Sequence, residues 1–364
     1  MLTEFNFEKE NQVVIVSLKL PSISDEENNN SIEELKLLSQ TLGFAVKEIF
    51  VQKKDRIEPD YYIGKGKVEE IKLYLSDNNI DAVLFDSELT GVQERNLEKL
   101  LNTTIFGRTE VILHIFKKRA RTNEAKLQVQ LASYEYMLPR LRNMWDHFSR
   151  VEGGIGLRGG EGEKQLELDK RIIKNQISKI KEKLKKIDKQ MSNRRKNRED
   201  TNLVSLVGYT NAGKTSLINL LAKTNLFAEN MLFSTLDSTV RRVFINDNLT
   251  ILLNDTVGFI NKLPHGLVAS FKSTLDEITN SKLILHIIDG SSHSIKNNIQ
   301  SVNKVLEEID ALNIPTIRVF NKIDLLNNGI SDIMEEKTEN DIFISVKKKI
   351  GIEELKEKIN KFFE

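Results

Sequence analysis

The chain has 364 residues, 39% of them hydrophobic and 29% charged, which suits two or three globular domains with real cores. No apolar run approaches the roughly 18 residues that cross a bilayer, the acidic start "MLTEFNFEKENQ" does not read as a secretory signal, and the lack of cysteine excludes disulfides and thiolate metal sites. Net charge is only +1, but residues 108–200 hold 24 Lys and Arg against 13 Asp and Glu, while the remainder holds 30 against 40. A basic block of that size points to a polyanionic partner; the competing reading is a solvated, lysine-rich helix face.

Residues 1–117 alternate short apolar runs with polar helical stretches. "NQVVIVSLKL" and "DAVLFD" read as buried strands, and "SIEELKLLSQTLG" as a helix with a serine cap and a closing glycine. "GKVEEIKLYLSDNN" and "LTGVQERNLEKLL" read as further helices, so this block is a small α/β domain. Its Gly64-Lys65-Gly66-Lys67 run is a weak phosphate signal and reads first as a turn opening a helix.

Residues 118–200 read as helical. "NEAKLQVQLASYEYMLPRLRNMW" is taken as one helix kinked at Pro139. A glycine-rich loop follows, with six glycines from Gly153 to Gly162. Next, Ile173, Ile177, Ile180, Leu184, Ile187 and Met191 step by four and three, a narrow heptad seam that needs a partner. The preceding helix supplies one, giving an antiparallel pair with the glycine loop at its tip. "NRRKNRED" reads as a basic linker. Trp145 near the end of the first helix could stack on RNA, though packing is the simpler role.

Residues 201–364 form a second α/β unit. The runs "LVSLVG", "TILLND", "LILHIID", "TIRVFN" and "IFISV" are short strands separated mostly by helices, which predicts a largely parallel sheet covered on both faces. "RRVFINDNLTILLND" predicts one antiparallel edge.

The chemistry concentrates at the ends of these strands. Gly208, Tyr209, Thr210, Asn211, Ala212, Gly213, Lys214 and Thr215 make a Gly-x-x-x-x-Gly-Lys-Thr loop between a strand and a helix. Its N–H groups can converge on phosphate oxygens at a positive helix end. Lys214 would reach the β- and γ-phosphates, and Thr215 would give its hydroxyl to Mg²⁺. Asp255, Thr256, Val257 and Gly258 end the following strand; Asp255 would hold Mg²⁺ and Gly258 N–H would meet the γ-phosphate. Asn321, Lys322, Ile323 and Asp324 complete the set. The Asp324 carboxylate can accept from guanine N1–H and the 2-amino group; adenine has neither donor, so the nucleotide is GTP. Ser345, Val346 and Lys347 lie where a backbone N–H meets guanine O6.

Between the phosphate loop and Asp255, "LFSTLDSTVRR" should supply a threonine to Mg²⁺, with Thr235 and Thr239 both candidates. Phe259 stands where many regulatory GTPases have a water-positioning glutamine, so intrinsic hydrolysis should be slow. Asn211 raises a further expectation, a K⁺ ion beside the phosphates. Arg241 and Arg242 could act as fingers, but solvated strand residues are the simpler reading; His265 and His286 read as ordinary surface or core histidines.

The chain resembles the HflX GTPases over nearly its whole length. The resemblance rests on "PDYYIGKGKVEEIK", "VLFDSELTGVQERNLEKLL", "RTEVILHIFKKRARTNEAKLQVQLA", "GGIGLRGGEGEKQLELDKR", "GYTNAGKTSL", "LFSTLD" and "NDTVGFINKLPHGLVASFKSTL". It implies Thr235 as the Mg²⁺-facing residue of a first switch comprising Phe233, Ser234, Thr235, Leu236 and Asp237. Lys214, Thr235 and Gly258 are then the catalytic group, and Thr215, Thr235 and Asp255 the metal group. It also implies a cytoplasmic, monomeric protein that binds the large ribosomal subunit and its RNA and splits or rescues stalled ribosomes, with peripheral membrane association an open alternative. Assembly of the large subunit, or RNA binding with GTP as a latch, are the competing functions. Two departures stand out. Gly160, Glu161 and Lys164 replace the family's usual Pro, Gly and Thr in the glycine loop, and the chain ends soon after the last guanine-loop motif, where many relatives carry a further domain.

Overall fold

The computed structural model describes residues 10–141, 160–196, 201–223, 232–233, 239–261, 272–292, 294–326 and 338–364. The chain divides into two compact units, Met1–Lys118 with Val129–Lys183, and Arg119–Gln128 with Leu184–Glu364.

The first unit is built on a four-stranded parallel sheet. Its strands are β1 (Asn11–Lys19), β2 (Phe44–Lys53), β3 (Ala82–Phe85) and β4 (Thr104–Gly107), in the order β2-β1-β3-β4. The connecting helices are α1 (Asp25–Leu42), α2 (Lys65–Asp77) and α3 (Gly91–Leu101), with α4 (Arg108–Arg119) following β4. Val13, Val14, Ile15 and Val16 of β1 are all fully buried, because a parallel sheet is covered on both faces.

Helix α1 starts earlier than its apolar spacing predicts. Ser24, not Ser31, is the cap: Ser24 Oγ accepts the Glu27 N–H at 3.0 Å and the Glu27 carboxylate accepts the Ser24 N–H at 3.1 Å. Gly43 ends the helix with φ 89, the left-handed conformation glycine adopts without penalty. Gly64 caps α2 and Gly66 lies in its first turn. Arg108 is buried between two acids, donating to Asp86 Oδ1 at 2.7 Å and to Glu34, and reaching the Ser31 carbonyl at 3.3 Å.

Helix α5 (Asn123–Met137) stops before Pro139 rather than bending there, since the ring removes a donor and crowds the preceding turn. Helix α6 spans Gly160–Lys196, so it begins inside the glycine-rich segment and takes in the first half of the expected linker. Ile173 and Ile180 of the seam are buried, and Lys181 of α6 pairs with Glu135 of α5 at 2.7 Å. Trp145 and the first part of the glycine loop lie outside the described residues.

The second unit holds a six-stranded sheet. Its strands are β5 (Asn202–Gly208), β6 (Thr239–Phe244), β7 (Thr250–Asp255), β8 (Leu283–Asp289), β9 (Thr316–Asn321) and β10 (Asp341–Phe343). The order is β10-β9-β8-β5-β7-β6, parallel throughout except for the expected antiparallel edge β6. Helices α7 (Lys214–Ala222) and α10 (Ile352–Phe363) pack on one face through Leu217, Ile218 and Leu355. Helices α8 (Lys272–Thr279) and α9 (Ile295–Glu308) cover the other through Ile278, Val302 and Leu306. The strand order reverses at β5, and the carboxyl end of the strand at such a switch point is where open α/β sheets bind ligands. Among the described residues no helix is long and apolar enough to cross a membrane.

Candidate nucleotide site

The loop from Gly208 to Thr215 follows β5 and opens α7. Two of its glycines are required by geometry. Gly208 has φ 154, and a Cβ there would lie 2.2 Å from the Ile287 carbonyl oxygen. Gly213 has φ 98, and a Cβ would lie 2.2 Å from Asn321 Nδ2. Neither position tolerates a side chain, so the loop main chain stays close to β8 and to the guanine-loop asparagine.

Lys214 sits beneath this loop, 6% exposed. Its Nζ donates to the carbonyls of Gly208 at 2.9 Å and Tyr209 at 2.8 Å. Burial lowers its pKa to about 8, opposed by the Asp255 charge. A buried ammonium held by neutral carbonyls is poised to gain from an arriving phosphate. Thr215 Oγ donates to Asp255 Oδ2 at 2.9 Å, which unites two of the predicted metal residues, both buried. An all-oxygen pair of this kind suits a hard dication.

The turn after β7 lies over the loop. Thr210 N–H donates to the Phe259 carbonyl at 2.8 Å, and Phe259 N–H to the Gly208 carbonyl at 3.2 Å. Gly258 is closely packed: a Cβ would meet Thr210 Cγ2 at 2.7 Å and Lys214 Nζ at 3.2 Å. Thr256 anchors the turn by donating its hydroxyl to the Leu206 carbonyl at 2.6 Å. Phe259 is 2% exposed and packs with Val207, Leu275 and Ile278. Its ring is part of the core and cannot orient a water.

The third element comes from β9. Asn321 donates Nδ2 to the Ala212 carbonyl at 2.9 Å and accepts the Val346 N–H at 3.1 Å, so one amide joins the phosphate loop to the last loop. Asp324 accepts from Ser345 Oγ at 2.6 Å, and this bond, first among the causes, lowers its pKa. The Val346 N–H is committed to Asn321 and the Ser345 N–H to the Ile350 carbonyl.

Sequence reasoning missed several contacts at this site. Lys322 Nζ is held by Asp289 Oδ2 at 2.6 Å, and Asp289 also accepts from Ser291 N–H at 3.0 Å. Asp289 ends β8, and a polar residue at that strand end was the only available signal. Tyr209 Oη accepts the Asn261 N–H at 2.7 Å, and Asn261 in turn accepts from Ser301 Oγ at 2.5 Å. His286 is 3% exposed, and burial, aided by Lys214 and Arg318, lowers its pKa to about 3; it is a neutral core histidine. Arg242 is exposed on edge strand β6 and Arg241 is half-buried there. Phe233 is buried with φ 54. Thr239 opens β6, paired with Asp255. Ser234, Thr235, Leu236, Asp237 and His265 lie outside the described residues.

Three stretches of the chain match family models. Residues 29–117 match the family described as GTP-binding GTPase N-terminal, 119–198 the GTP-binding GTPase middle region, and 203–322 the 50S ribosome-binding GTPase. The GTPase HflX of Flavobacterium psychrophilum is 44% identical, across 97% of this chain and 90% of its own length. The GTPase HflX of Escherichia coli is 42% identical, across 94% of this chain and 81% of its own. A crystal structure of a GTP-binding protein from Sulfolobus solfataricus in complex with GDP shares the fold, with a TM-score of 0.51 at 24% identity over 97% of this chain and 98% of its own. With identity above 40% to curated relatives along nearly all its length, the chain belongs to the HflX family of GTPases.

Proposed function

We propose that this GTPase binds the large ribosomal subunit and uses GTP-dependent switching to split or rescue stalled ribosomes. The observation that supports this most is the match of residues 203–322 to a 50S ribosome-binding GTPase, on a chain similar to a GTPase HflX over 97% of its length. The charge distribution agrees: Lys174, Lys179, Lys183, Lys185 and Lys186 are all exposed on α6, where ribosomal RNA phosphates would supply affinity.

The residues divide the work. Lys214 neutralises charge on the β- and γ-phosphates, and Gly258 N–H meets the γ-phosphate. Asp324 reads guanine, Lys347 N–H meets its O6, and the Lys322 stem lies over the base. Thr215, Asp255 and Thr235 would hold Mg²⁺, which when bound offsets the charge of the phosphate oxygens. GTP orders the segments around Thr235 and Gly258, and hydrolysis relaxes them. Asn211 would hold K⁺ near the phosphates; equal turnover in K⁺ and Na⁺ would remove that role. With Phe259 buried in the core, intrinsic turnover is slow and the subunit supplies the missing help.

Light scattering of intact ribosomes tests the splitting step. Wild-type protein with GTP should lower the signal, and Lys214→Ala should not. A signal that stays flat, with the protein bound only to immature large subunits, would replace splitting with an assembly role.

A further inference from the structure

Residues 345–350 form a tight turn beside the guanine pocket. Ser345 N–H donates to the Ile350 carbonyl at 3.1 Å, and Ile350 N–H to the Ser345 carbonyl at 3.0 Å. The tip is Lys347-Lys348-Lys349, and all three residues are exposed. They form no ion pair among the described residues. Nearby lysines differ: Lys356 pairs with Glu353 at 2.7 Å, and Lys358 donates to the Glu339 carbonyl at 2.6 Å.

Three adjacent like charges repel, yet here they are held by a constrained backbone. Lys348 N–H donates to Ser345 Oγ at 3.0 Å. Lys349 has φ 58, a left-handed conformation that residues with a Cβ seldom adopt. Gly351 has φ 70, and a Cβ there would lie 2.2 Å from the Phe343 carbonyl oxygen, so the turn cannot slide along the chain. Asp324 feels the charges of Lys348 and Lys347 without forming an ion pair with them, and strain kept at so exposed a tip points to a use for the charges.

We propose that this tip is a phosphate contact for RNA, and that the guanine pocket sets its position. Ser345 Oγ bonds Asp324 and Val346 N–H bonds Asn321, so residues that meet the nucleotide also hold the base of the turn. Lysines act as point charges suited to phosphates. A membrane surface is a poorer fit, because lipid headgroup sites gather larger clusters of four to eight basic residues. The ribosome reading enters only in naming the RNA as ribosomal.

The test is the salt dependence of binding to purified large subunits and, in parallel, to a plain RNA duplex, for wild type and for the double variant Lys348→Gln with Lys349→Gln. Each lost phosphate contact lowers the slope of log affinity against log salt by about 0.7 to 0.9. The double variant should therefore lose roughly 1.5 in slope, Lys349→Gln alone about half of that, and the double Lys→Arg variant nothing. Equal slopes for wild type and the double variant on both RNAs would overturn the proposal, as would a loss seen only with an acidic protein partner. If wild type ignores subunits while the slopes still differ on the duplex, the ribosome reading fails and the RNA contact stands.

Discussion

The two sheets among the described residues are each followed by a Gly-Lys step at the start of a helix, and they use it differently. At Gly64 the backbone has φ −70, and its N–H is satisfied by Gln52 Oε1 at 2.8 Å; the following Gly66 has open space around it. That is a helix start, as first read. At Gly208 and Gly213 the backbone is left-handed or nearly extended, and any side chain would collide at 2.2 Å. The buried cations follow the same division. Arg108 in the first unit is neutralised by Asp86 and Glu34 within the fold. Lys214 in the second leans mainly on carbonyl oxygens, and its lowered pKa records an environment that awaits negative charge. A residue pattern alone does not make a phosphate site; the backbone conformation and the state of the cation do.

Five perturbations sharpen or break this contrast. Arg108→Ala leaves Glu34 and Asp86 buried without their cation and should cost the first unit about 3–5 kcal/mol in denaturant unfolding. GTP affinity should change little, and an unfolding midpoint like wild type would show the triad to be dispensable. Lys214→Ala should lower GTP turnover by about 10²–10³-fold, the cost of one preorganised charge at the reacting centre. Folding stability should hold or rise, because a buried ammonium is removed; a loss of several kcal/mol would contradict the poised-cation reading.

Asp324→Asn should weaken GTP by about 1.5–3 kcal/mol, the worth of hydrogen bonds to a charged group. Competition binding should show xanthine nucleotide gaining over guanine; unchanged preference would remove Asp324 from base recognition.

The Lys214 pKa gives a pH test whose sign is fixed. In the free protein Lys214 sits near 8, below its ordinary 10.5, whereas bound phosphate favours the charged form. Binding above pH 8 must therefore take up a proton, and GTP affinity should fall by up to about tenfold per pH unit there, and be flat below about pH 7. The unfolded chain holds the proton up to a higher pH, so nucleotide-free stability should rise between about pH 8 and 10.5. An affinity that is level from pH 7 to 9 would show the ammonium to be fully supported without nucleotide.

The smallest effect belongs to Asp289→Asn. The Asp289–Lys322 pair is about a fifth exposed on either side, so loosening it should cost about 0.2–1 kcal/mol. The loss should be equal for GTP and ITP if, as proposed, the lysine stem lies over the ring face and not against the 2-amino group. Unequal losses would place Asp289 in base reading instead.

Much of the site was legible in the sequence because its motifs are local and sit at strand ends. The phosphate loop, Asp255 with Gly258, and Asn321 with Asp324 are fixed by spacing within a few residues, and β6 to β7 declared itself as a hairpin. Contacts that join distant segments were not legible. Asp289 meets Lys322 from 33 positions away, and Tyr209 meets Asn261 from 52. Helix boundaries were the other weakness. Apolar spacing starts the first helix at Ser31, but the Ser24–Glu27 capping box carries it back through three asparagines of weak helix propensity. Gly160 and Gly162 read as loop by residue type, yet α6 extends through both.

The measurement that bears most directly on the account is GTP turnover with and without purified large ribosomal subunits at fixed salt. Phe259 is packed in the core at 2% exposure, so the account predicts slow turnover alone and strong stimulation by subunits. Fast turnover alone, or nucleotide binding intact with no stimulation, would contradict it and require another partner for the switch.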